Sequence, residues 1–260
     1  PLVMISPYDR DLINEGSEIR RKFLDAVISQ FDKNYLNDLI NYNRALTQRN
    51  SLLRQFSEGN FFDSELLDVW NRQMQPLGEN IYQKRLGFIK DFIPIFQDYF
   101  DFISGSKEKV SINYLSHLDK LGYEEMLEKS LEKDRILRYT TAGIHKDDLE
   151  FRIFDYPIKK FGSQGQQKSF VIAIKLAQFE YTKNIMGFKP ILLFDDIFDK
   201  LDDSRVEQLI ALVSKNSFGQ VFITDTQRKR IEHVFNEVDI DHKIFEIKDN
   251  QAFEVPNGKE

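Results

Sequence analysis

The chain has 260 residues, with 36 Lys and Arg against 42 Asp and Glu. Its formal net charge of −6 excludes a generally basic nucleic-acid coat, so any DNA contact has to use a local patch or a partner subunit. Hydrophobic residues at 41% and charged residues at 30% suit a core of one large or two modest domains, and the absence of cysteine excludes disulfides and thiolate metal sites and fits a cytoplasmic setting.

The opening run Pro1-Leu2-Val3-Met4-Ile5 is apolar and strand-like, with no initiator Met and no charged leader. It reads as a cut inside a longer protein. Nowhere does an apolar run reach the roughly 18 residues of a membrane span. After a polar connection, Ser17 is placed to cap a helix starting near Glu18, with Phe23, Leu24, Val27, Ile28 and Phe31 at helical spacing. A second helix is expected over 35–56, with Leu36, Leu39, Ile40, Leu46 and Leu53 on its apolar side, ended by Ser57-Glu58-Gly59-Asn60. A third, over 64–104, carries Pro76 and Pro94 as expected irregularities. Residues 17–104 thus read as an all-helical arm.

After Gly105-Ser106-Lys107 the pattern becomes mixed. Strands are expected over 110–115 and 149–154, and helices over 123–139 and 168–181. Ile191 to Phe194 is a continuous apolar run, as in a strand covered on both faces; a helix from Arg205 and strands over 220–224 and 243–247 follow. This alternation is the grammar of an α/β sheet.

Two segments carry chemistry. Asp195 and Asp196 follow the apolar run Ile191-Leu192-Leu193-Phe194, which puts Asp195 at the carboxyl end of a buried strand, where open α/β sheets bind ligands. A carboxylate there holds Mg²⁺ directly or through water, and Asp196 is placed to orient or activate a water. The rival reading is a loop of solvated acids in which Asp202 or Asp203 caps the next helix. Some thirty residues earlier, Phe161-Gly162-Ser163-Gln164-Gly165-Gln166-Gln167 opens a helix whose first N–H groups suit phosphate; an ordinary turn is the alternative. Thr224-Asp225-Thr226 ends a short strand and either faces the same sheet edge as Asp195 or caps a helix. His145-Lys146-Asp147-Asp148 is either a ligand or DNA contact or a polar turn. Arg20-Arg21-Lys22, with Arg44, Arg49 and Arg54, reads as a solvated helix face or as phosphate contacts. No G-x-x-x-x-G-K-[ST] occurs, so the chain holds at most part of an ATP site.

The order of these pieces resembles an ABC-type ATPase head. Gly162-Ser163-Gln164-Gly165-Gln166 looks like the signature, Leu192-Leu193-Phe194-Asp195-Asp196 like a Walker B strand, and Lys200-Leu201-Asp202 like the D-loop. More closely, Arg20-Arg21-Lys22-Phe23-Leu24-Asp25, Gln48-Arg49-Asn50-Ser51-Leu52-Leu53, His145-Lys146-Asp147-Asp148-Leu149 and Ser163-Gln164-Gly165-Gln166-Gln167 resemble the RecF family of bacterial DNA replication and repair ATPases.

That resemblance implies the carboxyl-terminal part of an α/β ABC/SMC-like ATPase head with an inserted helical arm. It divides the chain into head over 1–16, arm over 17–106 and head over 107–260. It implies Asp195 as Mg²⁺ support and Asp196 in the place usually held by a catalytic Glu. Ser163, Gln164, Gly165 and Gln166 then meet ATP bound to a second subunit, with Asp202 at the dimer interface and Thr224 or Asp225 where many relatives carry a switch histidine. The implied partners are gapped or junction double-stranded DNA, a second copy in an ATP-dependent homodimer, and RecR and RecO. Slow hydrolysis is expected from an Asp at 196. A stand-alone Mg²⁺-dependent phosphohydrolase using Asp195, Asp196 and Asp199, and a structural helical adaptor, are the rival readings.

Overall fold

The computed structural model describes residues 1–197, 201, 203–214, 218–226 and 242–255. It forms two compact units, Pro1–Pro7 with Lys189–Glu260, and Tyr8–Phe188.

In the first unit, β1 (Leu2–Ile5), β5 (Ile191–Asp195) and β6 (Val221–Thr224) form a parallel sheet in the order β1-β5-β6, with Met4 opposite Leu193 and Leu193 opposite Phe222. Val3, Ile5, Leu192 and Phe194 are buried, whereas Leu2, Met4 and Phe222 are exposed. The strand at 191–194 is therefore deeply covered on one face only, unlike the two-sided burial its apolar run implies. The helix α8 (Asp203–Ser214) buries Val206, Leu209, Ile210 and Leu212 at helical spacing. A hairpin joins β7 (Ile244–Lys248) to β8 (Gln251–Val255). Its two-residue turn, Asp249-Asn250, has both φ angles positive, at 50° and 60°, the conformation that matches strand twist. That Asp-Asn pair was the missed sequence signal for β8.

The second unit begins with the short α1 (Asp11–Asn14) and the helix α2 (Ser17–Ser29). Gly16, not Ser17, is the N-cap of α2, and no side chain caps it. α3 (Lys33–Glu58) starts two residues before the expected boundary because Asp32 accepts from the Tyr35 N–H at 2.9 Å. α4 (Ser64–Ser104) has the expected limits, fixed by the Asp63 side chain on Leu66 N–H and by Gly105 at φ 65°. Its 41 residues, about 60 Å, run on through Pro76 and Pro94. After it come the strand β2 (Val110–Leu115), the helix α5 (Tyr123–Leu137), β3 (Asp148–Ile153), β4 (Tyr156–Pro157), α6 (Ile158–Phe161) and α7 (Gln164–Met186). β2, β3 and β4 form an antiparallel sheet.

Aromatic packing ties α4 to α7 and β3. Phe170 of α7 lies 4.8 Å from Phe96, 6.1 Å from Phe100 and 5.1 Å from Phe151, ring centroid to ring centroid. The residues expected as arm and those of 107–188 thus fall in one compact unit.

The arginines settle the inward face of α3. Tyr35, Tyr42, Ala45, Arg49, Leu53 and Phe56 point inward, and Leu36 and Ile40 are exposed. Arg49, 0% exposed, donates to Asp134 at 2.7 Å, Thr140 Oγ1 at 2.8 Å and Asn71 at 2.8 Å. Arg85 of α4, 1% exposed, donates to Asp25 at 2.8 Å, Asp147 at 2.9 Å and the Ile144 carbonyl at 2.8 Å. Tyr35 bonds Asp25, and Tyr114 bonds Asp147. Arg20 grips Asp148 through two bonds of 2.7 and 3.0 Å, and Arg21 donates to the Asp147 carbonyl at 2.6 Å. Arg20 and Arg49 are therefore neither phosphate contacts nor a solvated face. In the segment 145–148, Asp147 is buried, His145 and Asp148 are half-buried and bonded inward, and Lys146 is exposed, so it is a polar junction and not an open turn.

His145 sits in that junction. Its Nε2 lies 3.1 Å from the Thr140 carbonyl, which only accepts, so Nε2 carries the proton. Nδ1 then accepts from the Tyr42 hydroxyl, 3.1 Å away, which in turn accepts from Tyr123. Burial pushes the imidazole down to about 4.

Two outcomes follow from this junction. Arg85→Ala leaves Asp25 and Asp147 without their cation and lowers unfolding free energy by about 3–5 kcal/mol in urea titrations. The second concerns pH. Unfolded, His145 takes up a proton below about 6.5; folded, only below about 4. The unfolded chain binds more protons in that window, so this contribution is complete above pH 6.5 and declines as pH falls toward 4, by on the order of 3 kcal/mol. His145→Gln flattens that slope in denaturant titrations across the same pH range.

Candidate functional site

Asp195 is the last residue of β5 and pairs in register with Thr224 of β6. The Thr224 hydroxyl donates to Asp195 Oδ1 at 2.6 Å, and among the described residues Oδ2 has no hydrogen-bond partner. Asp196 then turns the chain out of the sheet at φ 47°, a left-handed conformation that short polar residues tolerate better than most. Its N–H is held by Thr224, 3.2 Å from the carbonyl and 3.3 Å from Oγ1. One threonine therefore fixes both acids. Just past them, Ile197 and Leu201 are buried. Asp202, with Phe198, Asp199 and Lys200, lies outside the described residues.

A free carboxylate oxygen at the end of a parallel strand fits Mg²⁺, directly or through water. Among the described residues no three metal-ligating side chains gather.

The glycine turn is a capped helix start. Ser163 is the N-cap of α7: its Oγ accepts from Gln166 N–H at 3.2 Å, and Gln166 Oε1 accepts from Ser163 N–H at 2.8 Å. The helix begins at Gln164, four residues before the expected start, because this box supplies the partners that the Gly-Gln-Gln composition conceals. Ser163 and Gln164 are exposed or partly so. The Gln164 and Gly165 N–H groups have no hydrogen-bond partner among the described residues, and the Ser163 hydroxyl keeps its proton to donate. Three donors thus point at one open helix terminus, which suits an anion.

The turn is held from behind by residues that sequence spacing did not reveal. Gln166 Nε2 donates to Glu108 at 3.0 Å, and buried Gln167 donates to the carbonyls of Ile158, Lys159 and Gly162 at 3.1–3.3 Å. Glu108 stands 58 positions before Gln166, which leaves no local pattern to find. Gly162 is obligatory in a steric sense: a Cβ there would lie 2.7 Å from Ile158 Cγ1 and 2.8 Å from the Ile158 carbonyl oxygen. The structure thus gathers Asp195, Asp196 and Thr224 in one unit and Ser163, Gln164, Gly165 and Gln166 in the other.

Comparison with known proteins places the chain and its fold. No protein-family model matches the chain. A curated DNA replication and repair protein RecF of Flavobacterium johnsoniae is 52% identical over 95% of this chain and 69% of its own length. One of the same name from Phocaeicola vulgatus is 48% identical over 98% of this chain and 68% of its own. A solved structure of the recombination mediator protein RecF with ATP, in the RecFOR pathway, superposes with a TM-score of 0.79 at 30% identity, over 98% of this chain and 67% of that one. An Smc head domain from Pyrococcus furiosus superposes at 0.50 with 15% identity, which speaks to the fold: a mixed α/β ATPase head of the ABC/SMC kind.

Gln166→Ala removes both the return bond to Ser163 and the tether to Glu108. About 1 kcal/mol of local stability is lost, read as roughly fivefold faster amide exchange at Gln164–Gln167, with the core of α4 unaffected.

Proposed function

The chain belongs to the RecF family of DNA replication and repair proteins, and from that premise we propose that it supplies two parts of a composite ATP site in a DNA-binding ATPase that dimerises on ATP. The carrying observation is the open Ser163 terminus with its three uncommitted donors, in a chain half identical to RecF proteins. The Ser163 hydroxyl and the Gln164 and Gly165 N–H groups contact the γ-phosphate of ATP held by a second copy, and Gln166 keeps them aimed. On the sheet unit, Asp195 would hold Mg²⁺ through its open oxygen, with Thr224 fixing the carboxylate's orientation. Bound Mg²⁺ would neutralise phosphate charge. Asp196 orients the attacking water; an Asp reaches less far than a Glu, which fits slow turnover. Asp202 belongs to the dimer interface in this reading.

The glycine-lysine phosphate loop is absent from these 260 residues, which span 69% of the Flavobacterium relative, so this stretch supplies only part of the site in this reading. ATP then acts as a clamp: it binds between two copies and stabilises the closed pair by mass action. Gapped or junction double-stranded DNA, with RecR and RecO, are the proposed partners, in the cytoplasm. No helix among the described residues is long and apolar enough to cross a membrane.

In the full-length protein, Ser163→Arg abolishes the ATP-dependent dimer in sedimentation velocity while ATP still binds the monomer. A dimer that forms as in the parent rules out the composite site. The 260-residue chain by itself shows no micromolar ATP binding by calorimetry.

A further inference from the structure

We propose that Phe154, Tyr156 and Phe161, together with Lys160, form the surface that closes on a second, nucleotide-loaded copy of this chain; this rests on the composite-site reading above. Phe154, Tyr156 and Phe161 are 52, 56 and 61% exposed, within eight residues of chain that ends two positions before Ser163. Isolated exposed apolar residues need no explanation, but three exposed aromatic residues within eight positions mark an interaction surface. Their presentation is built. The Tyr156 and Phe161 rings pack with centroids 4.9 Å apart. Phe154 is held at φ 51°, an unfavourable conformation for a bulky residue, and its N–H donates to the Lys109 carbonyl at 2.6 Å. Buried Ile158 anchors α6 beneath them.

The occupant follows from position and charge. The Cα atoms of Phe161 and Ser163 are at most about 7.6 Å apart. A second copy that brings a phosphate to hydrogen-bonding distance of Ser163 therefore also meets Phe161. Lys160 is exposed and has no ion partner among the described residues, so it complements an approaching triphosphate. A duplex backbone fits less well. Asp155, exposed inside the patch, sets a carboxylate against any run of phosphates laid across it. Aromatic residues carry a large share of interface energy, so this patch adds affinity between copies beyond what the Ser163 terminus supplies.

The experiment uses the full-length protein with and without ATP. Phe161→Ser with Tyr156→Ser raises the dimer dissociation constant at least about tenfold, and Lys160→Ala raises it severalfold, with monomer ATP affinity unchanged. A second readout does not depend on those variants. The 260 residues contain no cysteine, so Phe161→Cys introduces a single thiol in this region, whose maleimide labelling slows when ATP is added. If Ser163→Arg abolishes the dimer while the aromatic variants dimerise like the parent and the thiol labels at one rate throughout, the patch proposal is overturned and the composite site stands. If Ser163→Arg also dimerises like the parent, both fall together. If the aromatic variants keep the dimer and lose DNA binding, the surface belongs to nucleic acid and the proposal is overturned.

Discussion

The helical unit depends on one buried cation. Arg85 reaches from the middle of α4 to Asp25 of α2 and to Asp147 just before β3, and the carboxylates it pairs with also take the hydroxyls of Tyr35 on α3 and Tyr114 on β2. Four elements and the turn leading into β3 converge on a single guanidinium. Taking such charges out of water costs several kcal/mol each, and only a nearly complete set of hydrogen bonds offsets it. The return is specificity: a sliding contact between apolar helices has many near-equal registers, whereas a planar fork between two carboxylates has one. Arg49 with Asp134, and Arg20 with Asp148, repeat the device, so the motifs that resemble the RecF family most are largely joints.

Such joints decide which parts of the fold were legible. α4 was readable to its end residues because its apolar stripe, its Asp63 cap and its Gly105 terminator are all local signals. The inward face of α3 was not, because counting apolar residues favours Leu36 and Ile40 over Tyr42 and Arg49, and the polar side chains go inside because their partners arrive from Asn71 and from residues 123–145. The acids at 195 and 196 were legible as a strand end, since an apolar run followed by carboxylates is a one-dimensional pattern. That Thr224 binds both acids is a fact of sheet register, visible only once β6 lies beside β5. Ser163 was placed at a helix start, but Glu108 behind Gln166 had no sequence signature at all.

The two candidate half-sites are built on opposite principles. At the sheet edge, Thr224 leaves one carboxylate oxygen of Asp195 uncommitted, as suits a cation that keeps much of its own hydration. At the α7 terminus, the backbone supplies the donors and a reciprocal side-chain box holds them still, so little ordering remains to be done when an anion arrives. In the composite-site proposal, each gains its chemistry from a partner surface.

The left-handed backbone at Asp196 has a consequence for how this region tolerates change. A residue with a Cβ is strained there, so glycine would relax the turn and strengthen the folded state while deleting the carboxylate. Robustness and chemistry pull in opposing directions at that one position. Selection for heat resistance alone would drift toward glycine, whereas the water-orienting role proposed for Asp196 needs the carboxylate.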